Sequence, residues 1–116
     1  MSDEKKLFWL GSSKKALIGM PEEIKSAFGF ALHLAQCGEK HANAKSLKGF
    51  GSSGVLEVVE SDSGGTYRAV YTVKIENAVY VLHCFQKKSK SGIATPKQDM
   101  DLVKSRLKQA LEHAKE

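Results

Sequence analysis

The chain has 116 residues, the usual size of one domain, and 41% of them are hydrophobic, which is enough to build a packed core and excludes general disorder. The net charge of +5 and an isoelectric point near 9.2 favour an anionic partner without separating RNA, DNA and an acidic protein. No apolar run approaches the ~20 residues that span a bilayer, and the charged start MSDEKK is unlike a secretory signal, so one cytoplasmic domain over residues 1–116, with no membrane partner, is expected.

Lys6 to Leu10 (KLFWL) is a brief apolar run stopped by Gly11-Ser12-Ser13, too short for a helix and suited to a first strand buried in a sheet, with Trp9 in the core. Ser12 or Ser13 then caps a short helix reaching about Met20. Pro21 at a first helical position, followed by Glu22 and Glu23, opens a stronger helix. Its apolar face is Ile24, Phe28, Ala31, Leu32 and Ala35, and Gly38 stops it. His33 on this helix reads as a structural histidine without a metal-binding partner at i+4. Cys37 and Cys84, lacking a metal-ligand spacing, read as reduced small hydrophobes.

From Glu39 to Gly54 the chain turns polar and glycine-bearing and reads as a connection pinned by Leu47 and Phe50. Lys45 and Lys48 within it are candidate phosphate contacts, although loop lysines are ordinarily just solvated. GFGSSG lacks the lysine and hydroxyl ending of a phosphate loop and precedes a strand, which excludes a nucleotide cofactor. Val55 to Glu60 is a strand, SDSGG a reversal, and Thr66 onwards a second strand that turns at Glu76-Asn77 into a third, giving a three-stranded antiparallel meander. Alternation puts Tyr67, Ala69, Tyr71 and Val73 on one face and Arg68, Val70, Thr72 and Lys74 on the other, a mixed face expected to be partly open.

Arg68 within the strand and Lys87, Lys88 and Lys90 where the last strand runs out give the hairpin fixed positive charge. Lysines flanking an apolar strand also serve solubility alone. After Lys90, Thr95-Pro96-Lys97-Gln98 has the form of a helix start with a hydroxyl cap, and Met100, Val103, Leu107, Ala110 and Leu111 mark the apolar stripe of a C-terminal helix. The order of elements is that of a small α+β domain with helices packed on a sheet.

Leu47-Lys48-Gly49, Val55-Leu56-Glu57, Tyr67-Arg68-Ala69-Val70-Tyr71, Val81-Leu82-His83-Cys84-Phe85-Gln86-Lys87-Lys88 and Thr95-Pro96 follow one another in the order and spacing of a known motif series. The chain thereby resembles the phage-derived HigB-like toxins of the RelE/ParE toxin–antitoxin superfamily, from about Leu7 to Leu111. The resemblance implies a RelE-like fold and ribosome-dependent cleavage of messenger RNA without metal or cofactor. Its implied partners are a cognate helix-turn-helix antitoxin, the ribosome and mRNA. Under it Arg68 is the sheet arginine that lies against the scissile phosphate, Lys87 and Lys88 form the basic strand-end motif, and Lys48 is the loop lysine. Two departures stand out: Val59 occupies a position where the family often has arginine, and Ser89-Lys90-Ser91-Gly92 follows the basic motif without a nearby tyrosine.

Attack of a ribose 2′-hydroxyl on the adjacent phosphate needs an aligned nucleophile and stabilisation of developing negative charge, which preorganised cations supply without a metal. Glu57 and His83 are the acid–base candidates, each with a structural role as the competing reading. No hydrolase triad or paired glycosidase carboxylates are recognisable. Two rival functions share the same residues: a ParE-like toxin that binds and inhibits DNA gyrase, and an inactive phage-derived binding module.

Overall fold

A computed structural model of the chain describes residues 4–51, 53–87 and 95–116. The elements run β1 (Lys6–Trp9), α1 (Ser13–Ile18), α2 (Glu22–Gln36), β2 (Ala44–Ser46), β3 (Val55–Asp62), β4 (Gly65–Ile75), β5 (Ala78–Lys87) and α3 (Lys97–Ala114). They form an α+β fold whose five strands lie in the order β1-β5-β4-β3-β2. The expected antiparallel meander of β3, β4 and β5 forms the centre. β1 adds in parallel beside β5, so it is an edge strand and Trp9 is only half-buried. The connection after α2 contains a strand the sequence reading missed: β2 pairs with β3 and places Lys45 opposite Glu57.

Helices cover both faces of the sheet. The apolar face of α2 packs Ile24, Phe28, Ala31, Leu32 and Ala35 with Leu17 of α1 against Leu56, Val58, Tyr67, Ala69, Tyr71, Val79 and Val81. Every one of those α2 positions is buried, as its helical spacing predicts. Gly38 ends α2 in the left-handed region, φ 81°. Its N–H donates to Ala35 O and that of Glu39 to Leu34 O, the paired bonds of a Schellman motif.

The opposite face was expected to stand partly open, but α3 closes it. Val103 and Ala110 pack on Val55, Val70, Ile75, Tyr80 and Leu82, and Arg68, Val70 and Thr72 are all buried. The helical stripe departs from expectation at two places. Leu111 is 45% exposed, and Arg106, on the opposite edge of the Val103–Ala110 line, is buried. Its Nη1 donates to Leu82 O at 2.8 Å and its Nη2 lies 3.4 Å from Ser12 Oγ.

That carbonyl is available because β5 carries a bulge. Val70 pairs with His83 and Tyr71 with Val81, so Leu82 is the extra residue. The bulge resets the side-chain phase: Val79 and Val81 face α1 and α2, whereas His83 and Phe85 face α3. His83 therefore does not share a face with Val79 and Val81, as uninterrupted alternation requires. Gly11, at φ 53°, leaves room for the arginine, since a Cβ there would meet Arg106 Nη2 at 2.6 Å. Among the described residues no helix is long and apolar enough to cross a membrane.

Candidate functional site

Strand register brings the candidate residues onto the α3 face. Lys45, Glu57, Val70 and His83 lie opposite one another across β2 to β5. One row along come Val59, Arg68 and Phe85, and the next row joins Ser61, Thr66 and Lys87. Paired residues share a face, so Lys45, Glu57, Arg68, His83 and Lys87 all point to the α3 side.

Arg68 reaches diagonally to Glu57. Its Nη1 donates to Glu57 Oε1 at 3.0 Å, and both side chains are largely withdrawn from water. Thr95 closes the group: its hydroxyl donates to Glu57 Oε2 at 2.8 Å and its oxygen lies 3.4 Å from Arg68 Nη1. The Thr-Pro sequence was expected to supply a hydroxyl cap, yet α3 begins after Pro96 with no side-chain cap bond. The Thr95 hydroxyl serves the carboxylate instead of the helix.

Above this group lies a cavity of about 310 Å³ lined by Lys45, Ser46, Leu47, Lys48, Glu57, Thr95 and Met100. Glu57 is thus both the partner of the buried arginine and part of a wall open to solvent. Lys45 and Lys48 are exposed at the same cavity. The exposed lysines attract a polyanion by charge, and the fixed carboxylate offers a proton acceptor beside them. Arg68, expected on a partly open face, is a residue only 5% exposed, and its guanidinium is engaged with Glu57 beneath Thr95.

His83 is held elsewhere. Its Nε2 contacts Asp99 Oδ1 at 2.8 Å, and its ring stacks on Phe85 with centroids 4.5 Å apart. Burial lowers its pKa below the ordinary 6.5, while Asp99 pulls upward and Arg106 adds a smaller downward push. The neutral ring then donates Nε2–H to the carboxylate, a bond that anchors the first turn of α3. Lys87 is half-buried two residues beyond Arg68's partner Phe85 on the same face, and Lys88 and Lys90 lie outside the described residues. The Cys84 thiol is buried and pushed up to about 12, which keeps it protonated and inert.

Sequence reasoning missed Thr95 as a bridge, Asp99 as the His83 partner and Met100 as a cavity wall. Thr95 was visible as half of the Thr-Pro motif, but the same two residues also spell a helix start. His33 was read without a metal-type partner at i+4. Cys37 occupies that position, and its Sγ lies 3.8 Å from His33 Nε2.

Residues 15–108 match the family described as phage derived protein Gp49-like. No curated protein matches the chain. Among solved structures, it is similar to a chain of the toxin–antitoxin complex RelBE2 from Mycobacterium tuberculosis, at 17% identity and a TM-score of 0.48, over 74% of this chain and 94% of that one.

Proposed function

The chain belongs to the phage-derived Gp49-like family, and from that premise we propose that it is the toxin of a type II toxin–antitoxin pair, a ribosome-dependent, metal-independent mRNA endonuclease acting in the cytoplasm. The matched span, residues 15–108, contains every motif of the HigB-like series, from Leu47-Lys48-Gly49 to Thr95-Pro96. The observation that carries the reading is the convergence of Lys45, Lys48 and the Arg68-bound Glu57 carboxylate on one cavity.

In the proposed reaction the ribose 2′-oxygen attacks the neighbouring phosphorus, forming a 2′,3′-cyclic phosphate and breaking the bond to the 5′-oxygen. Glu57 takes the 2′-hydroxyl proton; it lines the cavity, whereas His83 is engaged with Asp99 under α3. Arg68 stabilises the charge gathering on the phosphoryl oxygens once RNA has displaced Thr95 from above it. Lys87 or Lys88, as ammonium groups, hold the backbone and protonate the leaving 5′-oxygen. Lys45, Lys48 and Lys90 steer the strand. A helix-turn-helix antitoxin neutralises the same basic surface.

One observation favours a second reading. Arg68 is buried in a closed group with Glu57 and Thr95, and that arrangement equally suits a binding toxin directed at gyrase or an inactive module. The discriminating experiment adds purified protein to translating ribosomes and maps new transcript ends, with gyrase supercoiling measured in parallel. New ends carrying cyclic phosphate support the nuclease, lost supercoiling with intact transcripts supports the gyrase inhibitor, and neither effect leaves the binding module.

A further inference from the structure

On the far side of the sheet from the cavity, Glu4, His33 and Cys37 bring a carboxylate oxygen, an imidazole nitrogen and a thiol sulfur within 4.8 Å of one another. We propose that these residues form a binding site for a borderline-soft divalent metal ion of the zinc type, with water completing the coordination. A nitrogen and a sulfur bound to one tetrahedral zinc at about 2.1 and 2.3 Å lie about 3.6 Å apart. His33 Nε2 and Cys37 Sγ are 3.8 Å apart, so coordination needs almost no movement of either. They occupy successive turns on one side of α2, the i and i+4 spacing by which a helix presents two ligands to one ion.

The backbone holds all three ligands in place. Cys37 is the residue at which α2 ends, fixed by the Schellman bonds of Gly38 and Glu39. Glu4 is brought over the same end of the helix by its neighbour: Lys5 N–H donates to Gln36 O at 2.9 Å, and Gln36 Nε2 donates back to Lys5 O at 2.8 Å. The helix C-terminus adds negative potential that favours a cation. Glu4 and His33 are exposed and Cys37 half-buried, so an ion has access, and its binding displaces the Cys37 thiol proton to solvent. An ion here ties the start of β1 to the end of α2. It takes no part in the proposed cleavage, because α2 packs against the face opposite Arg68 and Glu57.

Cobalt(II) titrated into the metal-free full-length protein tests the site directly. Expected are thiolate-to-cobalt absorption in the near ultraviolet and tetrahedral visible bands, saturating at one equivalent and displaced by zinc. Cys37→Ser should abolish the thiolate band, Cys84→Ala should retain it, and His33→Ala and Glu4→Gln should each weaken binding by about tenfold or more. Zinc should raise the Tm of the parent protein and leave that of Cys37→Ser unchanged. Absence of the thiolate band, or its persistence in Cys37→Ser, overturns the proposal whatever the protein's activity on RNA.

Discussion

Thr95, at the approach to α3, donates its hydroxyl to Glu57 on β3 at 2.8 Å, joining the last helix to the middle of the sheet. The bond fixes the carboxylate from one side while Arg68 fixes it from the other.

If Thr95 acts as this bridge rather than as a helix cap, its stability contribution depends on Glu57. Thr95→Val should cost about 1 kcal/mol in the parent protein and much less in Glu57→Gln, giving a coupling of at least about 0.5 kcal/mol in a double-mutant cycle. Urea melts of the four proteins measure it. Equal losses in both backgrounds would return the hydroxyl to the helix.

Arg68→Ala strands the largely buried Glu57 carboxylate, so stability should fall by about 3–5 kcal/mol, the usual cost of removing one partner from a buried pair. Arg68→Lys keeps the charge and separates geometry from folding. On the proposed reading it should slow single-turnover cleavage of ribosome-bound transcript by about a hundredfold, as loss of a preorganised donor does, with a smaller change in binding. A folded Arg68→Lys protein that cleaves at the parent rate would sink the catalytic role of the guanidinium.

The His83–Asp99 contact sets a pH dependence whose sign follows from burial. With the folded pKa held below 6.5, the unfolded chain takes up the proton first, so this residue's stabilisation is present above pH 6.5 and is lost as pH falls through the folded value. The Tm of the parent protein should drop more steeply than that of His83→Gln between neutral and mildly acidic pH. Parallel curves would show that the imidazole is not the group responsible.

Lys87→Ala with Lys88→Ala should weaken single-stranded RNA binding and reduce its salt dependence. Each lysine that neutralises one phosphate contributes about 0.7 to the slope of log affinity against log salt, so the double variant should lose about 1.4. Fluorescence anisotropy across a salt series reads this, and an unchanged slope would identify the pair as a solvated strand flank.

The fold was legible where local periodicity and core burial demand the same thing. The five buried positions of α2 follow from spacing alone, as does the division of β4 into a Tyr67-Ala69-Tyr71 face and an Arg68-Val70-Thr72 face. What escaped depends on contacts distant in sequence. Nothing around Leu82 announces a bulge, and Arg106 reads as one more solvated helical arginine until the released Leu82 carbonyl and the space beside Gly11 are brought together. The same holds at the candidate site. Arg68 and Glu57 were visible as residues, but their diagonal pairing follows from β3–β4 register and their closure by Thr95 from the path into α3. His33 and Cys37 stand at i and i+4, so their pairing is legible in the sequence itself, against the reading of His33 as lacking a metal-type partner there.

The Arg68–Glu57 pair has one more consequence. Glu57 is a tethered anion that already engages Arg68 Nη1 at 3.0 Å, so a phosphodiester reaching that nitrogen competes with it. A tethered competitor acts at an effective concentration of about millimolar or more, independent of dilution. Free phosphate and single nucleotides, held at one point, lose that exchange. A strand already held at several lysines presents its phosphate at a comparable effective concentration and can win. On the proposed reading the ion pair thus sets a threshold that discriminates by the number of simultaneous attachments, without reading a single base.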